Sequence, residues 1–282
     1  MGLRIATNIA SLNAQKNLKG NSDNLNRSLA RLSSGFRINQ SADDAAGLAI
    51  SENLKAQIRG LKQAWRNAGD GISLVQIAEG GLNEISSIMT RFRELAIQAA
   101  SDTIGDRERK FIDVEYQQLK SEVQRIAEST TFNGRDLLNG TGGQLDIQIG
   151  IYNDDFKDRL SFNSSAANAT LGALGMMAEN VFTKEAAQLS LATVDQAIVS
   201  VNAMRANFGA VQNRLQSTIQ NLSISEENLS AANSRIRDVD VAEETAELTR
   251  NNVLLQAGTS VLAQANQSSS AALSLIGKTF GG

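Results

Sequence analysis

Asp43 and Asp44 are adjacent carboxylates, the kind of pair that could hold a divalent cation or divide acid and base duties. Side chains one residue apart on a helix do not face each other, and no His or third carboxylate lies nearby in the sequence. Asp also suits the first turn of a helix, beside the positive end of its dipole, so the pair reads as a helix start. Ser33-Ser34-Gly35 offers two hydroxyls, but a serine nucleophile needs an adjacent base. The sequence supplies none there, and the tripeptide reads as a helix stop followed by a connection. The chain has no Cys and no His. Thiolate and imidazole provide most zinc ligands and most proton shuttling near neutral pH, so a zinc enzyme and a Ser-His-Asp hydrolase are both excluded. No catalytic, metal or cofactor residues are assigned.

What remains must be structural, and the composition says of what kind. Across 282 residues there is no Pro and only 4% aromatic side chains, which favours long uninterrupted helices over a thick core. A net charge of −3, with both signs interspersed, makes no basic stripe for nucleic acid. No stretch approaches the roughly 20 apolar residues that span a bilayer, so membrane insertion is not expected. The N-terminus lacks the order of a secretory signal, and Ala6 stands where a myristoylation motif wants Ser or Thr.

Apolar residues at Ile58, Leu61, Trp65, Ala68, Ile72 and Val75 alternate steps of three and four, the seam of a coiled coil. The seam slips phase near Glu79 and resumes as Leu82, Ile85, Met89, Phe92, Ala96 and Ala99. One helix of roughly 40 residues or more, on the order of 60 Å long, follows. Gly69, Gly71, Gly80 and Gly81 argue against perfect regularity. A break at 102–106 precedes a second helix, with Ile112, Tyr116, Leu119, Val123 and Ile126 on its seam, which ends before the turn signal Asn133-Gly134. Leu145, Ile147 and Ile149 alternate with polar residues as a strand, and Leu160 and Phe162 mark its returning partner. A last long seam runs from Leu191 through Phe208 and Leu222 to Ile236. The fold class predicted is mainly α: a long antiparallel helical rod and a terminal coiled coil, with a small β-hairpin region. The boundaries predicted are 1–44 with 237–282 for the terminal domain, 45–138 with 183–236 for the rod, and 139–182 for the hairpin and loop insertion.

The two ends carry thinner seams: Ile5, Ile9, Leu12, Leu18, Leu25, Leu29 and Leu32 in one, Val241, Leu248, Leu255 and Leu262 in the other. Fully burying one such side chain is worth about 1.5–3 kcal/mol, while ordering each backbone residue costs about 1–2 kcal/mol. These ends are predicted to be poorly ordered alone and helical once packed against neighbours. Sticky stripes at the ends of a rod are what a polymerising subunit needs.

At this point the residues resemble a known family. Leu32-Ser33-Ser34-Gly35-Phe36-Arg37-Ile38-Asn39 and Asp43-Asp44-Ala45-Ala46-Gly47-Leu48-Ala49-Ile50 are similar to the N-terminal signature of bacterial flagellins. Arg66-Asn67-Ala68-Gly69-Asp70-Gly71-Ile72-Ser73 and Thr131-Phe132-Asn133-Gly134 resemble its later blocks. So do Glu227-Asn228-Leu229-Ser230-Ala231-Ala232-Asn233-Ser234-Arg235-Ile236-Arg237-Asp238 and the run from Gln256 to Gln267 at the other end. The departure is in the middle, where larger flagellins carry outer domains and this chain has only the hairpin region.

The resemblance implies a homo-oligomeric helical filament outside the cell, for motility. It also implies paired termini lining the filament channel, passage unfolded through a type III export apparatus with an export chaperone, and contacts with filament cap and hook-junction proteins. Arg91, Leu95, Gln98 and Glu115 match positions at which flagellins resemble ligands of a host Toll-like receptor; read bottom-up, Arg91 and Glu115 are also ordinary solvated or intersubunit charges. The nearest alternative is a hook-filament junction protein of the same export class. Another is a secreted enzyme, disfavoured because no inserted domain and no His are present. Asn163 and Asn168 begin Asn-x-Ser/Thr triplets in a loop, a weak signal in a bacterial chain.

Overall fold

The computed structural model describes the backbone of residues 7–279 and the side chains of 7–267. In order come α1 (Ile9–Ser34), α2 (Ala45–Ala100), α3 (Asp106–Ser129), β1 (Thr131–Phe132), β2 (Arg135–Asp136), β3 (Gln144–Gln148), β4 (Arg159–Asn163), α4 (Lys184–Arg237) and α5 (Val241–Thr279). The mainly helical class holds. Two compact units divide the chain: Met1–Ala56 with Leu229–Gly282, and Gln57–Asn228.

The residues that looked most like chemistry turn out to close helices. Asp44 accepts the Gly47 N–H at 2.8 Å and caps the start of α2, whereas Asp43 accepts the Asn39 and Gln40 N–H groups at 3.1 and 3.2 Å and holds the connection that precedes it. Gly35 ends α1 at φ 74°, its N–H donating to the Arg31 carbonyl at 2.8 Å, a left-handed stop that glycine adopts without strain. At the far end of α2, the buried Arg109 donates from Nε to the Ala99 carbonyl at 2.8 Å and from Nη2 to the Ser101 carbonyl at 2.9 Å, satisfying acceptors the helix leaves open.

In the second unit, α2 and α4 run antiparallel, as the partners Lys62–Glu226 and Arg93–Asp195 show, and α3 folds back along α2 with Arg91 against Glu115 and Phe92 against Tyr116, ring centroids 4.5 Å apart. Leu74 and Leu95 are buried beside the α2 seam, whose positions are Leu61, Ala64, Ala68, Gly71, Val75, Ala78, Leu82, Ile85, Met89, Phe92, Ala96 and Ala99. The seam positions step by four and three throughout, which corrects two expectations. There is no phase slip near Glu79, because Ala64, Gly71 and Ala78 hold seam positions that a count of large side chains passes over. Trp65 lies off the seam and is 48% exposed, since Ala64 takes the place expected of it. Tyr116 is fully buried and its hydroxyl has no hydrogen-bond partner among the described residues; burial, with Glu179 and Asp113 nearby, pushes its ionisation upward.

The hairpin is antiparallel as its alternation predicts, with Leu145 opposite Phe162 and Ile147 opposite Leu160. Its apolar face is seated on α2 through glycines. A Cβ on Gly71 would lie 2.7 Å from Ile147 Cδ1 and 3.3 Å from Leu215 Cδ1, and one on Gly60 would lie 2.7 Å from Ile151 Cγ2. Gly81 makes the same kind of notch, 2.9 Å from Leu138 Cδ1. These glycines forgo about 1 kcal/mol each of helix propensity in exchange for close approach. Gly71→Leu is therefore expected to lower unfolding free energy by about 1–3 kcal/mol through overpacking, whereas Gly69→Leu, on open surface, is expected to leave it unchanged or raised; denaturant unfolding of the two variants checks this.

Candidate assembly surface

In the first unit α1 and α5 pack against each other. Asn8 donates to the Ala265 carbonyl at 2.9 Å, Ser11 bonds Asn266 at 3.0 Å, Leu18 covers Gly258, and Arg31 meets Glu244 at 3.5 Å. Rising numbers on one helix meet falling numbers on the other, so the pair is antiparallel. Leu18, Leu25 and Leu32 on α1 and Leu248, Leu255 and Leu262 on α5 are half-buried. Ser11 continues the α1 leucine column by one heptad; beside it lie Ala14 and Ser28, two heptads apart, and on the other helix Glu244, Asn251 and Gly258 step by sevens. Leucine knobs thus meet small or polar positions: a Cβ on Gly258 would stand 3.3 Å from Leu18 Cγ. This intercalation is the coiled-coil geometry, with polar residues interrupting the seam.

The terminal residues singled out in the sequence therefore divide into two sets. Leu18, Leu25, Leu32, Leu248, Leu255 and Leu262 are used within the chain. Ile9 and Leu12 are each 55% exposed, Leu29 49% and Val241 59%, and these have no comparable cover. Ile5 lies outside the described residues. Sequence reasoning missed Val253, Leu254 and Val261, which are also exposed on α5; Leu254 and Val261 are one heptad apart and each precedes a leucine of the exact-sevens column. It also missed the buried Ser28, Glu244 and Asn251, of which Glu244 and Asn251 offered a seven-residue spacing as a signal.

A small polar node stands at the base of this helix pair. Arg37 N–H donates to the Arg237 carbonyl at 2.7 Å, Val239 N–H donates to the Gly35 carbonyl at 3.1 Å, and the Arg237 guanidinium lies 4.8 Å over the Phe36 ring. Arg237 also pairs with Glu52, and Ser51 donates to Asn233 at 2.9 Å. The Arg237 hydrogen bond holds the Glu52 carboxyl below the usual carboxylate range. A depressed carboxyl contributes stability that is present above its ordinary value and lost as pH falls through the depressed one; for this pair, with its carboxyl exposed, the contribution is small, and the backbone bonds of the node do not titrate.

In the second unit, Arg91 is exposed and bonds Glu115 at 2.8 Å and Glu94 at 2.9 Å, and Gln98 lies exposed on the same helix one heptad away. Leu95 does not join them. It is 1% exposed and part of the core, because it lies beside Phe92, Ala96 and Ala99 on the buried side of α2. Among the described residues no group of His, Cys, Asp and Glu could hold a metal ion, and no helix is long and apolar enough to cross a membrane.

Antiparallel helices with polar caps leave the apolar side chains of Ile9, Leu12, Leu29 and Val241 outside their own pairing. Residues 5–142 match the profile of the bacterial flagellin N-terminal helical region, and residues 191–276 match that of the bacterial flagellin C-terminal helical region. The chain belongs to the bacterial flagellin family, which is a family of structural proteins and not of enzymes. It is 44% identical to a flagellin of Halalkalibacterium halodurans over 95% of this chain and 98% of that one. It is 42% identical to the flagellin of Bacillus subtilis over 97% and 100%. The crystal structure of Bacillus cereus flagellin is similar at a TM-score of 0.50 and 32% identity, covering 60% of this chain and 94% of that one. A hook-associated protein structure from Vibrio parahaemolyticus shares the fold at a TM-score of 0.58 but only 13% identity, over 70% and 100%.

Proposed function

We propose that this chain is the subunit of an extracellular flagellar filament, and that the α1–α5 pair is its polymerisation element. The observation that carries the reading is the division of apolar residues in that pair. One set is consumed by intrachain pairing, while Ile9, Leu12, Leu29, Val253, Leu254 and Val261 stay exposed. Exposed apolar residues scattered over two adjoining helices suit an open, heterologous contact repeated from copy to copy, and a repeat of that kind generates a helical polymer instead of a closed ring.

In this reading residues 1–44 and 237–282 form the inner terminal domain and order fully on assembly, 45–138 and 183–236 form the rod, and 139–182 contribute the hairpin. A chain without disulfides, stabilised at its ends by leucine seams with polar interruptions, is readily unfolded for type III export and held by an export chaperone. Filament cap and hook-junction proteins would contact the same termini. A host Toll-like receptor would meet Arg91, Gln98 and Glu115 on the surface. The hook-filament junction reading is supported only by fold likeness at low identity, and is the weaker one.

The test is to add purified chain to sheared filament seeds and follow length by electron microscopy. Elongation is expected. A truncation lacking residues 240–282 is expected to stay monomeric while keeping most of its helical circular dichroism; normal polymerisation by the truncation would remove the assembly role from the C-terminus.

A further inference from the structure

Asn133 and Gly134 make the two-residue loop between β1 and β2, with Thr131 opposite Asp136 and Phe132 opposite Arg135. Both loop residues have positive φ, 50° and 76°, the mirror-image turn for which Asn-Gly is the favoured pair. Three features set this dipeptide apart. Asn133 and Gly134 are exposed, and among the described residues no hydrogen bond holds the Asn133 side-chain amide. Nothing stands within 4 Å of where a Cβ on Gly134 would be, so no neighbour crowds this side of the turn. That nitrogen also makes none of the backbone bonds of the adjoining turn, which run instead through Leu137 N–H to the Thr130 carbonyl at 3.1 Å.

The chain contains an internal control in its other Asn-Gly pair, Asn139-Gly140. There the side chain is held at every atom. Asn139 Nδ2 donates to Asp136 at 2.7 Å, and Asn139 Oδ1 accepts from the Thr141 N–H at 2.9 Å and from the Thr141 hydroxyl at 2.7 Å. Gly140 is crowded as well, since a Cβ there would lie 2.6 Å from Asn168 Nδ2. The same dipeptide thus occurs once free and once pinned.

We infer that Asn133 is a site of spontaneous covalent modification, deamidation through a cyclic imide, and that Asn139 is protected from it. The Gly134 backbone nitrogen, having given its proton to hydroxide, adds to Asn133 Cγ. The bond from Cγ to the side-chain nitrogen breaks, and ammonia leaves after taking a proton from water. Water then opens the five-membered imide at either carbonyl, giving aspartate or isoaspartate. Aspartate keeps the turn, because Asp-Gly suits the same backbone conformation. Isoaspartate inserts a methylene into the main chain of a loop whose length fixes the pairing register, next to the fully buried Leu137 and Leu138. The modification is therefore a slow loosening of the chain where α3 leads into the hairpin region.

The experiment incubates the purified, unpolymerised chain at 37 °C at neutral and mildly alkaline pH, then maps peptides by mass spectrometry with enzymatic detection of isoaspartate. Asn133 is expected to convert about tenfold or more faster than Asn139, since the hydrogen bonds of Asn139 must break before it can react, and its rate should rise with hydroxide. Thr141→Ala is expected to accelerate Asn139 while leaving Asn133 unchanged. Retention of the Asn133 amide, equal rates at the two sites in the parent protein, or no effect of Thr141→Ala would each overturn the inference.

Discussion

Replacing Leu12, Leu29, Leu254 and Val261 together by Ser is expected to abolish elongation of filament seeds while shifting the melting temperature of the soluble chain by no more than a few degrees. All four are between 44% and 59% exposed in the single chain, and surface substitutions away from special features stay within about 0.5 kcal/mol. A polymer that buries the half of each still exposed would gain about 1 kcal/mol per side chain. Losing all four contributions weakens each addition by roughly a thousandfold, at tenfold per 1.4 kcal/mol. Leu255→Ala separates the two uses of α5. It belongs to the half-buried inner column, so it should loosen α1–α5 pairing in the soluble chain, which the outer substitutions should not do. Seed elongation and amide hydrogen exchange, measured on both variants, read the difference.

The second large effect lies in the other unit. Phe208→Ala is expected to destabilise the chain by about 3–5 kcal/mol. Phe208 is fully buried, with its ring centroid 4.8 Å from that of Phe162, so one side chain joins α4 to the hairpin. At the usual 2–4 °C per kcal/mol for a unit of this size, melting should fall by roughly 10 °C. The hairpin amides of β3 and β4 should lose exchange protection first. A change of under 1 kcal/mol in denaturant unfolding would mean that the hairpin is held by its glycine notches alone.

The parts of the fold written in strong periodicity were legible. The hairpin follows from Leu145, Ile147, Leu160 and Phe162 on one face, and the Asn133-Gly134 turn from its dipeptide. The stop at Gly35 and the start at Asp44 follow from capping chemistry. The α2 seam was less legible, because the eye follows large side chains while a seam between close-packed helices is also made of Ala64, Gly71 and Ala78. The same habit placed Trp65 inward when Ala64 holds the buried position. Leu95 shows a different limit. A surface patch transferred from resemblance carries no information about which of its members the core requires, and this leucine is needed inside. At the termini the apolar columns could be read from the sequence, but which column pairs within the chain depends on the small residues opposite it, and these show only when the two helices are laid together.

The central claim is that α1 and α5 use one set of apolar residues on each other and leave another set for neighbouring copies. The most direct measurement is an electron cryomicroscopy structure of filaments grown from this chain, read at side-chain detail around α1 and α5. The claim requires Leu18, Leu25, Leu248 and Leu255 to meet within one subunit, and Leu12, Leu29, Leu254 and Val261 to be buried against adjacent subunits. Filaments in which those four side chains face solvent would contradict it.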